Sequence, residues 1–474
     1  MDQRWTLQVR NFGPIQSADI EIHPFMMFIG PNNSGKSYLS TLLWGLMTHG
    51  KLLFDDSIIN YSSYNACLEW IEQEYQKAIK ATQSNIEFEY ISNFDNATIK
   101  LFIDLFNEVT YNKKNLLIAE IFNCDMIDIN ELKVTNYQRS SIVSIKWKYS
   151  EPKFNEFSVC QNQYTVYFSK TLLLKRQQII LVIIDLLFKG ISNTIDSVVG
   201  LKGRYTKFSN NLSLYLPSAR TGFMLNYKAL ASSTIHQGFS LQDLPKGLHT
   251  TPTMNFLQGL IEMSEDEQPG EYDDIVAWLE NEVINGKFSR KDDVLPNYYY
   301  VPKSIQQPIP LHIASSLVTE LSSLSIFLNN NSNLKRYLKP GSLFIEEPEA
   351  HLHPAAQRKM AQALVKLVNR GLPVWITTHS DIMFQQFNNL IALSHLPNRA
   401  ETLKEMGYDE SDVLDPDKAI AYEFVIEEGG TVVKPLDLMN TGFAAPSFNQ
   451  TLGDLMAETI KLHDLLDDAE ADAS

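Results

Sequence analysis

The chain has 474 residues, of which 44% are hydrophobic and 20% charged, with a formal net charge of −16. That composition describes an ordinary folded protein with room for about two or three domains, and it excludes a fibrous or disordered chain. The acidic balance argues against binding a polyanion over the whole surface, though it leaves room for one basic groove.

Residues 1–50 read as strand, turn, strand, loop and helix. WTLQVRNF and ADIEIHPF alternate apolar and polar residues around the Gly13-Pro14 turn. FMMFIG, wholly apolar, then runs into PNNSGKS and the helical YLSTLLWGLM. Residues 51–210 have a different texture, rich in Asn, Tyr, Lys and Ile, and they read as an inserted, mostly helical domain without a chemical motif. Residues 211–400 resume with strand-like SLYLPSARTGF, a helix-rich acidic span, and then PIPLHIASSLVTELSSLSIFL, LFIEEPEAHLHP and VWITTHS. Residues 401–474 hold a β-hairpin around Gly429-Gly430, a closing amphipathic helix and an acidic tail.

Cys67, Cys124 and Cys160 are odd in number and widely spaced, which suits neither a disulfide framework nor a zinc site. The N-terminus lacks the layout of a signal peptide, and the run IILVII falls far short of the roughly 18 apolar residues of a membrane span. The expectation is a cytoplasmic protein without a membrane partner.

GPNNSGKS, Gly30 to Ser37, fits G-x-x-x-x-G-K-[ST] with an apolar strand before it and a helix after it. In such a loop Gly30 and Gly35 let backbone N–H groups wrap phosphates. Lys36 supplies a point charge to the β- and γ-phosphates, and the Ser37 hydroxyl is a ligand for Mg2+. Glu346 and Glu347 then make sense as neighbours, although each raises the cost of ionising the other. In nucleotide-hydrolysing P-loop folds a strand neighbouring the P-loop strand ends in an acidic residue that holds Mg2+, which here would be Glu346. The next carboxylate, Glu347, would then face the γ-phosphate and could polarise the attacking water.

GPNNSGKS, EEPEAHLHP and TTHS, in that order, resemble the ATPases of the ABC superfamily in its RecF/SMC-like branch. The resemblance is greatest to stand-alone bacterial ATPases related to the overcoming-lysogenization-defect (OLD) proteins. RNFGPIQSADIEI at the start resembles the same branch, and the likeness covers about residues 1–45 and 213–460. It implies an α/β fold, an ABC-type P-loop ATPase head with a large, mainly helical insertion. Nucleotide contacts would come from Asn32, Asn33, Ser34, Gly35, Lys36, Ser37 and Tyr38. His379 would be the switch histidine at the γ-phosphate, with Lys36 and Glu347 completing the catalytic set. Glu349 to His353 would form the D-loop against a second subunit. The signature helix would start in ASSLVTEL, Ala314 to Leu321, which lacks the glycine pair of LSGGQ. There Ser315 and Ser316 would cap a helix N-terminus and meet the partner's ATP. Arg220 in PSARTG fits a structural salt bridge and a phosphate or partner contact equally well. Gln161 and Gln163 are both candidates for the Q-loop glutamine.

The family architecture implies a homodimer, or higher homo-oligomer, closing head-to-tail around ATP and driving a separate effector protein. OLD-like relatives often work in anti-phage defence with a nuclease or toxin as effector. One alternative is an SMC/RecF-like clamp on double-stranded DNA. Another is an OLD-like nuclease, for which Asp415 and Asp417 in LDPDK imitate half a motif, although Pro416 between them suits a turn. A transporter's ATPase subunit is disfavoured by the insertion and the missing glycines.

Overall fold

Three apolar strands set the centre of the fold. Phe25–Ile29, Ser342–Glu346 and Val374–Thr378 are buried at every position, the pattern of parallel strands covered on both faces. In the computed structural model they pair in parallel, with Val374–Thr378 between the other two. The described residues are 3–54, 56–82, 89–139, 142–149, 157–160, 163–168, 176–188, 213–236, 249–262, 270–291, 293, 295–329, 341–445, 453–463 and 465.

These strands belong to a nine-stranded sheet. From edge to edge it runs Ile129–Arg139, Gln3–Phe12, Ile15–Glu21, Gly430–Pro435, Ala419–Glu427, Phe25–Ile29, Val374–Thr378, Ser342–Glu346 and Ser213–Leu216. Successive side chains of a strand point to opposite faces, and the two cores divide accordingly. Met26, Phe28, Phe344 and Trp375 join a core with Leu39, Leu42 and Leu43 of the P-loop helix, Lys36–His49. Phe25, Met27, Ile29, Leu343, Ile345, Val374 and Ile376 face the other core, with Met360 and Leu364 of the helix Pro354–Asn369 and Phe387 of Asp381–Ala392.

Within residues 51–210 the helices Ser62–Thr82, Asn96–Phe122 and Arg176–Phe188 carry the helical character expected there. The structure adds strands that the sequence reading did not anticipate. Glu89–Asn93, Ser144–Tyr149, Phe157–Cys160 and Gln163–Phe168 form a four-stranded sheet. Ile129–Arg139 instead pairs antiparallel along Gln3–Phe12 of the main sheet. Trp5, Phe106 and Phe188 meet in one core, so this segment shares its apolar interior with the N-terminal strands. IILVII lies in the last of the three helices, with Ile179, Ile180, Ile183 and Ile184 buried.

SLYLPSARTGF is strand only as far as Leu216, and a helix, Arg220–His236, starts at Arg220. Pro217 ends the ladder there because it has no N–H to donate. The hairpin Ala419–Glu427 and Gly430–Pro435 turns at Glu428 and Gly429, one residue earlier than the Gly-Gly pair suggested. Asp415 caps a 3-10 turn, Pro416–Lys418, by accepting from Asp417 N at 3.0 Å. Residues 453–463 are helical, and each is exposed, Leu455, Met456 and Ile460 included. Among the described residues no helix is long and apolar enough to cross a membrane.

Candidate active site

The loop after Phe25–Ile29 bends by means that only certain residues allow. Gly30 has φ +138°, and a Cβ there would stand 2.7 Å from the Phe424 carbonyl oxygen. Gly35 has φ +98°, where a Cβ would stand 2.8 Å from the Ile15 side chain. Glycine is the residue for both. Asn33 adopts φ +62°, a left-handed conformation that asparagine tolerates. The buried Ser34 hydroxyl donates to the Pro31 carbonyl at 2.8 Å, closing the loop on itself. Asn32, Asn33 and Ser37 are exposed at its rim.

Lys36 is buried, and its Nζ donates to the Gly30 and Pro31 carbonyls at 3.0 and 2.8 Å. Burial pulls its pKa down to about 8, against the opposing charges of Glu347, Glu349 and Glu346. The helix it opens has no side-chain cap. Its first helical hydrogen bond runs from Leu39 N to Gly35 O, which leaves the N–H groups of Lys36, Ser37 and Tyr38 without helical acceptors. These residues fit a polyphosphate: a ring of backbone donors, a positive helix end and a lysine already inside. The Tyr38 ring packs against Phe12 and Phe122, with centroids 5.8 and 5.4 Å away.

The two glutamates diverge. Glu346, the last residue of its strand, is buried and accepts from the Tyr215 hydroxyl at 2.8 Å and from Ser218 N at 3.1 Å. Glu347 extends the ladder by one bond, its N donating to Thr377 O at 2.9 Å. The chain then turns through φ +44° at Glu347, a conformation a non-glycine residue adopts only when its surroundings impose it. Its half-exposed carboxylate lies 3.7 Å from His379 Nε2.

His379 follows the strand Val374–Thr378, and its backbone N donates to Glu349 Oε1 at 2.7 Å. Burial lowers the imidazole pKa, Lys36 lowers it further, and Glu347 and the Gly30 backbone pull it up. The net effect is downward, so the ring is neutral near pH 7 and able both to donate and to accept. Lys36, Glu347 and His379 therefore follow three central parallel strands at the same end of the sheet, Glu347 and His379 one residue beyond their strands and Lys36 at the end of the loop after Ile29. Ligands of open α/β sheets sit at this end of the strands.

Glu349, expected in the D-loop, turns inward to hold the His379 amide, and burial raises its pKa. His351 and His353 are exposed, and His353 caps the helix Pro354–Asn369. Ser315 and Ser316 are exposed at the start of the helix Ser316–Asn329, where Ser315 Oγ accepts from Val318 N at 3.4 Å. Gln163 lies on the four-stranded sheet, separate from the sheet that carries the P-loop, and Gln161 falls outside the described residues. The edge strand beside Ser342–Glu346 runs instead into Pro217 and Ser218.

Arg220 is 2% exposed, which removes the phosphate or partner reading and leaves the salt bridge, made with Glu320. The sequence reading missed Glu320, and Tyr215 as well. Tyr215 bonds Thr41 Oγ1 at 3.1 Å as well as Glu346, and burial with the Glu346 charge raises its pKa well above the ordinary value. Apart from the apolar alternation of SLYL, nothing local marks it, because its partners lie 174 and 131 residues away.

A loop of this shape at the end of a central parallel strand, with a buried lysine opening the next helix, defines a P-loop ATPase of the α/β class. The chain belongs to the AAA ATPase domain family, whose model it matches over residues 6–220 and 226–384. No curated protein matches it. Among solved structures, an Smc head bound to the C-winged helix domain of ScpA is similar at 11% identity, with 92% of this chain and 98% of that one covered and a TM-score of 0.36. A second is an Smc head with an extended coiled coil, bound to the C-terminal domain of ScpA derived from Pyrococcus furiosus. It gives 10% identity, 96% and 100% coverage and a TM-score of 0.34. The SMC head domain from Thermotoga maritima gives 8%, 92% and 99%, and 0.32.

Proposed function

We propose that two copies of this chain close head-to-tail around ATP and that hydrolysis reopens them, driving a separate effector protein. The observation that carries the catalytic part is the approach of Glu347 Oε1 to within 3.7 Å of His379 Nε2 at the mouth of the loop that buries Lys36. In this reading Lys36 neutralises charge on the β- and γ-phosphates and Glu347 takes a proton from the attacking water. The water oxygen bonds to the γ-phosphorus, the bond to the β-bridging oxygen breaks, and ADP leaves with its electrons. His379, neutral, donates to the γ-phosphate oxygens.

The residues also fit Mg2+. Among the described residues no cluster of three or more His, Cys, Asp or Glu side chains is placed to hold a metal. The ion would rest on Ser37, Glu346 and the phosphates themselves, the usual habit of Mg2+ at nucleotides. When bound it supplies charge neutralisation at the phosphates.

Dimer closure is supported by the exposed Ser315 and Ser316 at a helix start, a surface that suits the γ-phosphate of a second copy. A role in anti-phage defence within a cytoplasmic system, with a nuclease or toxin as effector, rests on the OLD-like motifs alone. The nuclease alternative loses support because Asp415 is spent on capping a turn. A clamp on double-stranded DNA would have to work against a net charge of −16.

Glu347→Gln tests the reading. It keeps shape and hydrogen bonding but cannot take the proton, so hydrolysis should fall by roughly 10²–10⁴-fold while ATP remains bound. Unchanged turnover would remove Glu347 from the mechanism. Purified with ATP and Mg2+, the same variant should have the mass of a dimer or more, and an accompanying protein would identify the effector.

A further inference from the structure

Arg220 and Glu320 form an ion pair with both side chains almost fully buried, at 2% and 0% exposure. Burying two charges is expensive, and a well-packed apolar pair often serves stability equally well. The other bonds of this guanidinium suggest what the pair is for. Nη1 donates to the carbonyls of Pro217 at 3.1 Å and Glu346 at 2.5 Å, and Nη2 donates to the carbonyl of Glu347 at 3.0 Å. Arg220 therefore grips the peptide carbonyls on both sides of the Glu347 Cα.

Glu320 stands on the helix Ser316–Asn329, one turn after Ser316. It is also held by the Thr221 hydroxyl, next to Arg220 in the chain. The backbone of Glu347 is thus tied at its N–H to Thr377, at its carbonyl to Arg220, and through Arg220 to that helix. Its left-handed φ of +44° is the conformation such a grip would maintain.

We propose that Arg220 is a positioning residue that links the helix Ser316–Asn329, through Glu320, to the turn carrying Glu347, so that the helix position sets the carboxylate geometry. This deepens the hydrolytic site proposed above and rests on Glu347 as its base. A displacement of the helix at its exposed serine end, as a second copy docks there, would pass to the Glu347 carbonyl through two side chains. Misplacing a reacting group by about 1 Å costs on the order of a hundredfold in rate.

The test uses the full chain and steady-state ATP hydrolysis. Arg220→Lys keeps the charge but not the fork that spans three carbonyls, and Glu320→Gln keeps shape while removing the ion pair. Each should lower kcat by about tenfold to a hundredfold with nucleotide Kd held within about twofold. In the Glu347→Gln background neither should slow the residual reaction further, because both act through that carboxylate. A purely structural role would lower the rate by the same factor in both backgrounds, and that result, or a loss explained by Kd, overturns the proposal. Should Arg220→Lys fail to fold, Glu320→Gln carries the same comparison. Normal turnover in Glu347→Gln would sink the reading of Glu347 itself. A slow Glu347→Gln beside a normal Arg220→Lys would sink only the link.

Discussion

Raising the pH from 7 to 9 should weaken nucleotide binding through one side chain. Lys36 is buried beneath the loop and ionises at about 8, with burial lowering its pKa and the surrounding Glu347, Glu349 and Glu346 charges opposing that shift. The neighbouring His379 is already neutral across this range. If only the ammonium form holds the phosphates, the apparent Kd scales with the inverse of its fraction, which falls by about tenfold between pH 7 and pH 9. The second ionisation of a phosphate, near pH 6, is largely complete before the titration begins. Titration calorimetry with ADP at half-unit steps would read the curve. Lys36→Arg, which stays charged, should bind more weakly but with no slope, and Lys36→Ala should lose affinity at every pH.

Stability moves the other way. A lysine ionising at about 8 in the folded chain and at its ordinary 10.5 when unfolded binds fewer protons folded between those values. Its contribution to stability therefore rises with pH across the window in which binding weakens, so unfolding of this region cannot mimic the effect. A flat wild-type curve from pH 7 to 9, or the same slope in Lys36→Arg, would refute the argument.

Tyr215→Phe removes the hydroxyl that bonds both Glu346 and Thr41. Losing a buried bond to a charged acceptor should destabilise the protein by about 1.5–3 kcal/mol, read as a lower urea midpoint with an unchanged slope. A shift below the error of the midpoint would mean that Ser218 N alone suffices to hold Glu346. Ser316→Arg places a bulky cation at the exposed helix start. ATP affinity of the single chain should be unchanged while ATP-driven dimerisation, followed by light scattering, disappears; persistent dimers would remove this helix from the interface.

Much of this site was legible because its chemistry is written in short contiguous runs. Gly30, Gly35 and Lys36 must share one short loop for it to wrap phosphates at all, and that requirement shows in eight residues. The pair Glu346-Glu347 and the terminal His379 announce themselves by standing at the ends of apolar runs. What stayed hidden are the contacts that hold these residues. Arg220, Glu320 and Tyr215 reach their partners across 126, 99 and 131 residues of chain, counting the Glu346 carbonyl, the Thr221 hydroxyl and the Glu346 carboxylate respectively. Glu349 was expected in a D-loop against a second subunit, yet the turn after Glu347 brings its carboxylate under the His379 amide.

The same division holds for the fold. Local patterning determined the central strands, the P-loop helix and the hairpin at Gly429, because burial on both faces demands an unbroken apolar run and a turn demands glycine. Only the tertiary structure decided that Ile129–Arg139 would leave its segment to pair along Gln3–Phe12. It alone set Ser213–Leu216 beside Ser342–Glu346, so that Tyr215 and Ser218 meet Glu346. Strand partners are chosen by edge hydrogen bonds and shared apolar faces between distant segments, and no single stretch of sequence contains both sides of that choice.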